Sequence, residues 1–244
     1  MTERYRKQWE ALGTNDPYWA VLADPRKKDG RWNKAEFFQT GIDEIDSLLI
    51  KISRLGIQLK FELAIDYGCG VGRLSRALST SFQHVLGIDI SDSMLSEARS
   101  ANTGFDNIQF LRNNGDSLSG VADETVDFIY SNIVLQHSPR KIQRLLIREF
   151  CRVLRPGATL IFQTPSHPNM GTISGFLYLM LSNRILNIAR RIWFGKGHVF
   201  EVHTIRKDEV LKLLRNEGLS VLEAERHDSA GPTFVSYRYF ALKG

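Results

Sequence analysis

A glycine-rich turn between an apolar segment and a helical segment constrains the fold of this chain more than any other feature. Residues 61–66 have the pattern of a strand, Gly68, Gly70 and Gly72 follow within a few positions, and residues 73–78 have the pattern of a helix. Such a turn exposes backbone N–H groups at the start of the helix, and glycines let a ligand approach them closely. The order of strand, glycine turn and helix therefore predicts a site of the kind that binds nucleotides.

The segments after this turn alternate between strand and helix patterns. Residues 84–88 are the next predicted strand, which ends at Asp89, and Ser91 has the position of an N-cap for the following helix. Further strands are predicted at 108–111, 126–130 and 158–164, with a helix over 139–154. This alternation predicts an α/β fold with a Rossmann-like, doubly wound and mostly parallel sheet.

The C-terminal segments depart from this alternation. A helix is predicted at about 206–216, with Gly218 as its end, and strand patterns follow at 219–225 and 234–242. Two strands joined by so short a connection pair as an antiparallel hairpin. The predicted sheet therefore ends in an antiparallel C-terminal hairpin.

The N-terminal part of the chain is predicted to be helical. Apolar residues recur at three- and four-residue steps over 42–55, and Asn33 and Glu36 have the spacing of a capping box. The aromatic residues here are dense, and we expect most of them to pack in a core and a minority to face a ligand. The predicted units are an N-terminal helical cap over 1–61 and a ligand-binding domain over 62–244, with a helical insertion at 165–202.

Composition excludes several classes of protein. The chain has 244 residues, of which 43% are hydrophobic and 24% charged, as in an ordinary globular protein and unlike a disordered or collagen-like one. Cys69 and Cys151 cannot form a disulfide framework, and the N-terminus lacks the apolar run of a signal peptide. No stretch approaches the ~20 apolar residues of a membrane-spanning helix. We therefore expect a reduced, cytoplasmic protein, whose net charge of +5 permits an acidic partner without requiring one.

Charge and spacing around the glycine turn indicate the kind of ligand. Asp89 follows the turn at about the ~20 residues at which an acid accepts hydrogen bonds from ribose hydroxyls. The glycine spacing differs from the G-x-G-x-x-G of NAD enzymes, and Asp66 beside the turn would repel a pyrophosphate. These features favour a ligand with a cationic amine and no phosphate. An NAD-linked oxidoreductase is disfavoured but stays open.

Five segments in order resemble the motifs of the class I S-adenosylmethionine-dependent methyltransferases, specifically the broad group that acts on small molecules. These segments are residues 64–74, 87–91, 114–118, 127–137 and 152–160. The resemblance spans about 63–164 and extends more weakly to the C-terminal hairpin. One glycine turn is weak support, whereas five motifs in the right order are strong support.

The resemblance implies S-adenosylmethionine as the cofactor, S-adenosylhomocysteine as the product, and no metal. The methionine part of the cofactor would lie at Asp66 and at the turn formed by Gly68, Cys69, Gly70 and Gly72. Asp89 would bind the ribose, and the adenine would lie against Ile90, Met94, Asp116, Ser117 and Leu118. Ser131 and Asn132 would lie near the reacting sulfonium.

Methyl transfer needs alignment more than it needs acid–base groups. The methyl group of a sulfonium is already electrophilic, so a base is required only where the acceptor must lose a proton. His137, after the fourth strand, and His203, before the last helix, are the candidate catalytic residues, because imidazole titrates near neutral pH. Each also has a structural interpretation as a residue at a helix start. The cysteines and histidines are too dispersed for a recognisable metal site.

We expect a small-molecule acceptor, and the added segments should select it, because one core supports many acceptors. Residues 173–197 are apolar, aromatic and basic and contain no acid. This composition is compatible with an interfacial helix that receives a lipid-like acceptor in peripheral contact with a membrane. The competing interpretation is a lid that packs on its own core or on a dimer partner. Monomer and homodimer both stay open.

Two further functions stay open. An RNA or protein acceptor is suggested by the positive charge, but residues 131–134 lack the Asp/Asn-Pro-Pro-Tyr/Phe signature of enzymes that methylate exocyclic amino groups. The basic residues are also spread along the chain and not clustered, which disfavours nucleic acid. A regulator that binds S-adenosylmethionine without catalysis is the other alternative.

Overall fold

The computed structural model describes residues 2–180 and 201–244, and seven strands of these residues form one central sheet. The strands are β1 Leu63–Tyr67, β2 His84–Asp89, β3 Ile108–Arg112, β4 Val126–Ser131, β5 Leu154–Pro168, β6 Leu219–Arg226 and β7 Phe234–Lys243. Their order is β3-β2-β1-β4-β5-β7-β6. Strands β1 to β5 pair in parallel, and β7 is antiparallel to both β5 and β6.

Helices cover both faces of this sheet. In the described part of the chain they are α1 Thr2–Asn15, α2 Pro17–Val21, α3 Lys34–Arg54, α4 Arg73–Leu78, α5 Asp92–Ala101, α6 Arg140–Val153, α7 Ile173–Met180 and α8 Lys207–Asn216. The predicted Rossmann-like, doubly wound α/β fold with an antiparallel C-terminal hairpin is confirmed.

Successive residues of the central strands belong to two different core clusters. Ile129 of β4 packs in the cluster that contains Phe150 of α6, whereas the preceding Phe128 packs in the cluster that contains Leu48 of α3. All four side chains are buried. A parallel sheet needs this cover on both faces, and its open edge is the one at which the carboxyl ends of β1, β2 and β4 meet.

Two helix starts that the sequence predicts are present. The Asn33 side chain accepts a hydrogen bond from the backbone N–H of Glu36 at 3.1 Å and begins α3. Ser91 Oγ accepts from the backbone N–H of Met94 at 3.2 Å and begins α5. These bonds satisfy donors that the first turn of a helix leaves without a partner. The cap at Ser91 fixes the direction of the chain immediately after Asp89.

Aromatic residues of the N-terminal segment form a third core cluster. Tyr18, Phe37 and Phe38 pack there against Val71 of the glycine turn and Met94 of α5. The rings of Tyr18 and Phe37 lie 4.9 Å apart and nearly perpendicular, a favourable arrangement for aromatic pairs. The N-terminal helices therefore cover the glycine turn, although the division of the chain at residue 61 stays a prediction.

Helix α7 begins the predicted insertion and presents apolar side chains to solvent. Ile173 is 83% exposed and Leu179 is 58% exposed, and the helix carries no charged residue. The rest of the segment for which membrane contact was predicted, up to residue 197, lies outside the described residues. Within residues 2–180 and 201–244, no helix combines the length and the hydropathy needed to span a membrane.

Candidate functional site

A cleft of about 680 Å³, part of it open to solvent, lies at the carboxyl ends of β1, β2 and β4. Ligands of open α/β sheets bind in this place, and the volume is within the usual range for small-molecule sites. Predicted site residues that line it are Gly68, Gly70, Asp89, Ile90, Met94 and Asn132. The cleft therefore joins the glycine turn, the end of β2 and the end of β4.

The glycine turn is held against the end of β2 by backbone hydrogen bonds. The N–H groups of Gly68 and Cys69 both donate to the carbonyl of Ile88, at 2.7 and 3.1 Å. Gly68 has a φ of +78°, and a Cβ atom there would lie 2.3 Å from the side chain of Val134. Glycine is needed at this position both for the left-handed backbone and for the close approach of the segment after β4.

Asp89 lies at the centre of the cleft wall. Its Oδ2 accepts from the backbone N–H of Gly70 and its Oδ1 from that of Ser91, each at 2.9 Å. Burial raises the pKa of this carboxyl above its usual value, while the N–H groups of Ser91 and Gly70 act in the opposite direction. A carboxylate offers about four acceptor positions, so both oxygens can accept further hydrogen bonds from a ligand.

Two predicted cofactor residues support the turn from behind and do not reach the cleft. Asp66 is buried below the turn, where Ser75 Oγ donates to its Oδ2 at 2.6 Å, and burial raises the pKa of Asp66 to about 6. Gly72 has a φ of +80° and is the N-cap of α4. Cys69 is also buried, and its burial raises the pKa of the thiol well above the usual value.

Four more predicted residues lie near the cleft without lining it. Ser131 Oγ donates to the carbonyl of Tyr67 at 3.0 Å and links the ends of β4 and β1. The buried Leu118 donates its backbone N–H to Glu149 of α6, and the carbonyl of Ser117 accepts from Asn113. Asp116 is beside Ser117 and outside the described wall of the cleft. The structure places Asn113 and Gly115 on the wall in this region instead.

The two histidines proposed as bases lie behind the cleft wall. His137 is buried, its ring centroid is 5.2 Å from that of Trp9, and burial lowers its pKa to about 4. The backbone N–H of His203 donates to Gln136, its Nε2 lies 3.7 Å from a carboxylate oxygen of Glu201, and burial lowers its pKa. Neither histidine belongs to the described wall of the cleft.

Helix α1 supplies a wall of the cleft that the sequence did not assign. Tyr5 and Trp9 line the cleft, and burial followed by the charge of Asp89 raises the pKa of the Tyr5 phenol. Glu10, on the same helix, accepts from the backbone N–H groups of Asp92 and Ser93, both at 2.9 Å. The carboxylate of Glu10 thus neutralises the N-terminus of α5 and fixes α1 across the cleft. The density of aromatics near the N-terminus was the only available signal.

The carboxyl end of β4 carries a second polar group of residues around Glu44 of α3. Glu44 Oε1 accepts from Tyr130 and from Asn132, both at 2.7 Å, and Oε2 accepts from Arg73 at 2.7 Å. Burial acts to raise the pKa of Glu44, but the charge of Arg73 and these hydrogen bonds outweigh it, so the pKa lies below its usual value. The side chain of Asn132 is thereby held at the cleft wall. No sequence motif identified Glu44.

Metal binding has no support among the described residues. Within 2–180 and 201–244, no group of three or more His, Cys, Asp or Glu side chains lies close enough together to hold a metal ion.

Comparison with known proteins identifies the family. Residues 65–162 match the family described as Methyltransferase domain. The chain is 39% identical over 121 residues to a malonyl-[acyl-carrier protein] O-methyltransferase of Methylococcus capsulatus, a match that covers 49% of this chain and 42% of the relative. It is 30% identical over 136 residues to a ubiquinone biosynthesis O-methyltransferase of Hahella chejuensis, covering 55% and 56%. The chain thus spans about half the length of the curated relatives it matches.

Solved structures agree in fold over the whole chain. Magnesium protoporphyrin IX methyltransferase of Synechocystis PCC 6803, crystallised with bound SAH, superposes with a TM-score of 0.65 at 20% identity and covers 100% of both chains. An S-adenosylmethionine-dependent methyltransferase of Mesorhizobium loti gives a TM-score of 0.58 at 21% identity and covers 78% of this chain and 96% of its own. Residues 65–162 therefore form a methyltransferase domain, and the chain belongs, as its motifs predicted, to the class I S-adenosylmethionine-dependent methyltransferases.

Proposed function

We propose that this chain transfers a methyl group from S-adenosylmethionine to a small-molecule acceptor. One observation carries the proposal: a single cleft joins a glycine turn, a carboxylate at the end of β2 and a fixed amide at the end of β4. The first two bind an adenosyl ligand, and the third lies where an acceptor would meet it. The names of relatives that act in malonyl-carrier and ubiquinone chemistry support a small-molecule acceptor.

The described residues fit this cofactor. The free lone pairs of Asp89 suit two ribose hydroxyls, and the partial exposure of Asp89 lies toward the cleft. Gly115 has a φ of +81°, and a Cβ there would lie 2.6 Å from Ile90, so the wall next to Ile90 has room only for a residue without a side chain. Asn113 and Gly115 would hold the base, and Gly68 and Gly70 the amino-acid part. When bound, the cofactor supplies an electrophilic methyl group on a sulfonium.

The chain contributes alignment and exclusion of water. Tyr5 and Trp9 close the cleft on the α1 side, and Asn132 is held by Glu44 on one side of its amide and by Ser229 on the other, at 2.7 and 3.3 Å. A polar group fixed in this way can orient an acceptor for in-line attack, an effect worth roughly 7–11 kcal/mol in well-aligned reactions. His137 is neutral at pH 7 and contacts Trp9, so we assign it a positioning role through that ring.

A lipid-like acceptor or biosynthetic intermediate, delivered at a membrane surface, is the finer part of this proposal. Helix α7 supports it, because Ile173, Leu179 and Met180 are exposed and uncharged. Arg184, Arg190, Arg191 and Lys196 follow in the sequence. Apolar residues next to basic ones favour binding at the surface of an anionic membrane.

The experiment incubates the full chain with methyl-labelled S-adenosylmethionine and an extract of the source cells, and then separates organic, small aqueous and macromolecular fractions. Label in the organic fraction is expected. The Asp89→Ala variant should lose that label, and Asp106→Ala, in a loop away from the cleft, should keep it. Label confined to small aqueous compounds would contradict the lipid-like acceptor only, and label on RNA or protein would contradict the small-molecule acceptor.

Two binding measurements separate the remaining alternatives. Tight S-adenosylhomocysteine binding without label in any fraction would favour a non-catalytic regulator. Preferential binding of NAD over S-adenosylhomocysteine would favour an oxidoreductase and contradict the proposal.

A further inference from the structure

Arg238 of β7 is a guanidinium without an ionic partner in the part of the chain that the structure describes. It lies in register with Gln163 of β5 and Glu225 of β6, but Glu225 contacts Lys51 at 3.3 Å. Within residues 2–180 and 201–244, no carboxylate lies within 4.0 Å of Arg238. Its Nε is buried and makes no hydrogen bond there. A buried donor of a charged group is costly unless it is paired.

A chain of hydrogen bonds connects Arg238 to the cleft. Asn132 donates its amide to Glu44, so its Oδ1 faces Ser229, which must be the donor. Ser229 then accepts from Nδ1 of His227, which leaves Nε2 of His227 to accept from Arg238. The whole chain is consistent only with a neutral His227. Since Asn132 lines the cleft, Arg238 lies three side chains away from it.

The charges in this chain do not balance. Glu44 already accepts from Arg73, Tyr130 and Asn132, and its ion pair is with Arg73 at 2.7 Å. Two guanidiniums therefore share one carboxylate, and Arg238 has only the ring of Tyr130 at 5.9 Å and the His227 nitrogen as described partners. The region next to the acceptor end of the cleft thus carries one uncompensated positive charge.

We propose that Arg238 binds a carboxylate of the methyl acceptor, which makes the acceptor an organic acid. This inference rests on the proposed function, because it concerns the acceptor of that same cleft. Guanidinium binds carboxylate with two parallel N–H donors, and the unpaired Nε supplies one of them. The carboxylate is an anchor and not the methylated atom, since ion pairing to Arg238 lowers its nucleophilicity. Asn132 and Ser229 lie between this anchor and the cofactor part of the cleft.

The test follows the imidazole of His227 by NMR in the full chain saturated with S-adenosylhomocysteine. The charged groups that act on this ring are Arg238, which lowers its pKa, and Glu44, Glu225 and Asp228, which raise it, after the lowering by burial. Acetate, hexanoate, benzoate and malonate serve as probes, and the matching amides serve as neutral controls. At least one carboxylate should raise the apparent pKa of His227, because a bound anion offsets the Arg238 charge, whereas the amides should not.

Variants decide whether Arg238 is the binding group. Arg238→Gln should weaken carboxylate binding by at least about tenfold, and Arg238→Lys should retain part of it, because lysine keeps the charge without the planar pair of donors. Arg226→Gln, an exposed arginine of the same hairpin, should leave binding unchanged. The proposal is overturned if none of the carboxylates shifts His227, or if the shift persists in Arg238→Gln. Calorimetry of S-adenosylhomocysteine on the same samples reports separately on the proposed function.

Discussion

Glu10→Gln is expected to loosen helix α1 from the cleft. The Glu10 carboxylate makes three contacts with the start of α5: the backbone N–H groups of Asp92 and Ser93 at 2.9 Å, and Ser91 Oγ at 3.0 Å. Glutamine keeps one acceptor oxygen, so the variant loses the negative charge and at least one hydrogen bond. Tyr5 and Trp9 depend on this docking for their place in the cleft wall.

The magnitude follows from these contacts. A hydrogen bond to a charged group contributes about 1.5–3 kcal/mol, and a negative charge at a helix N-terminus about 0.3–1 kcal/mol. Because the two effects overlap, we expect a loss of about 2–3 kcal/mol in the free energy that holds α1 on α5. The ratio of docked to undocked α1 then falls by roughly 30- to 150-fold. The Kd for S-adenosylhomocysteine rises by up to the same factor if only the docked form binds.

Calorimetry measures that Kd, and hydrogen exchange of the α1 amides reports on docking directly. Glu3→Gln is the matched control, because Glu3 is an exposed carboxylate of the same helix whose ion pair is with Arg6 inside that helix. Unchanged affinity and unchanged exchange in Glu10→Gln, or equal effects of Glu3→Gln, would refute the role of α1 as a wall of the site.

Three further predictions address the cleft. Asp89→Ala should weaken S-adenosylhomocysteine binding by about 1–3 kcal/mol, because a charged acceptor is lost; unchanged calorimetric affinity would remove Asp89 from the site. The pKa of His137 is lowered by burial from 6.5 to about 4, so protonation favours the unfolded chain and wild type loses roughly 3 kcal/mol as the pH falls through this window. Urea unfolding of His137→Gln should show a smaller loss, and equal slopes would contradict the assignment. Gly68→Ala should lower stability by at least about 1 kcal/mol, since it combines a positive φ with a clash against Val134. Gly104→Ala, where a Cβ meets nothing within 4 Å, is its control, and equal losses would argue against the clash.

The position of the cofactor site followed from local sequence patterns. The glycine turn after β1, Asp89 at the end of β2 and the cap at Ser91 are each determined by residues close together in the chain. The order of strands and helices then dictates a parallel sheet, and a parallel sheet brings strand ends together at one edge. Hence Gly68, Gly70, Asp89 and Asn132 could be grouped before any coordinates were known.

Periodicity could not distinguish a residue on the wall of the cleft from one directly behind it. Asp66 and Asp89 both lie at or near the end of a buried strand, but Asp66 points below the turn toward Ser75, and Asp89 reaches the cleft. The same limit applies to Ser131, which links two strands, and to Asn132, which lines the cleft. One residue along a strand reverses the side of the sheet, and only the packed helices decide which side carries the ligand.

Contacts between distant segments were decided by the tertiary structure alone. Glu10 meets α5 across more than 80 residues of sequence, Glu44 holds Asn132 from another face, and Arg238 reaches His227 from the last strand. None of these pairs has a spacing or a motif, because their proximity depends on how α1, α3 and the hairpin pack on the sheet. The sequence by itself determined which strands and turns bind the cofactor, through short-range backbone geometry. The walls that close the cleft, and the charge beside its acceptor end, exist only through long-range packing.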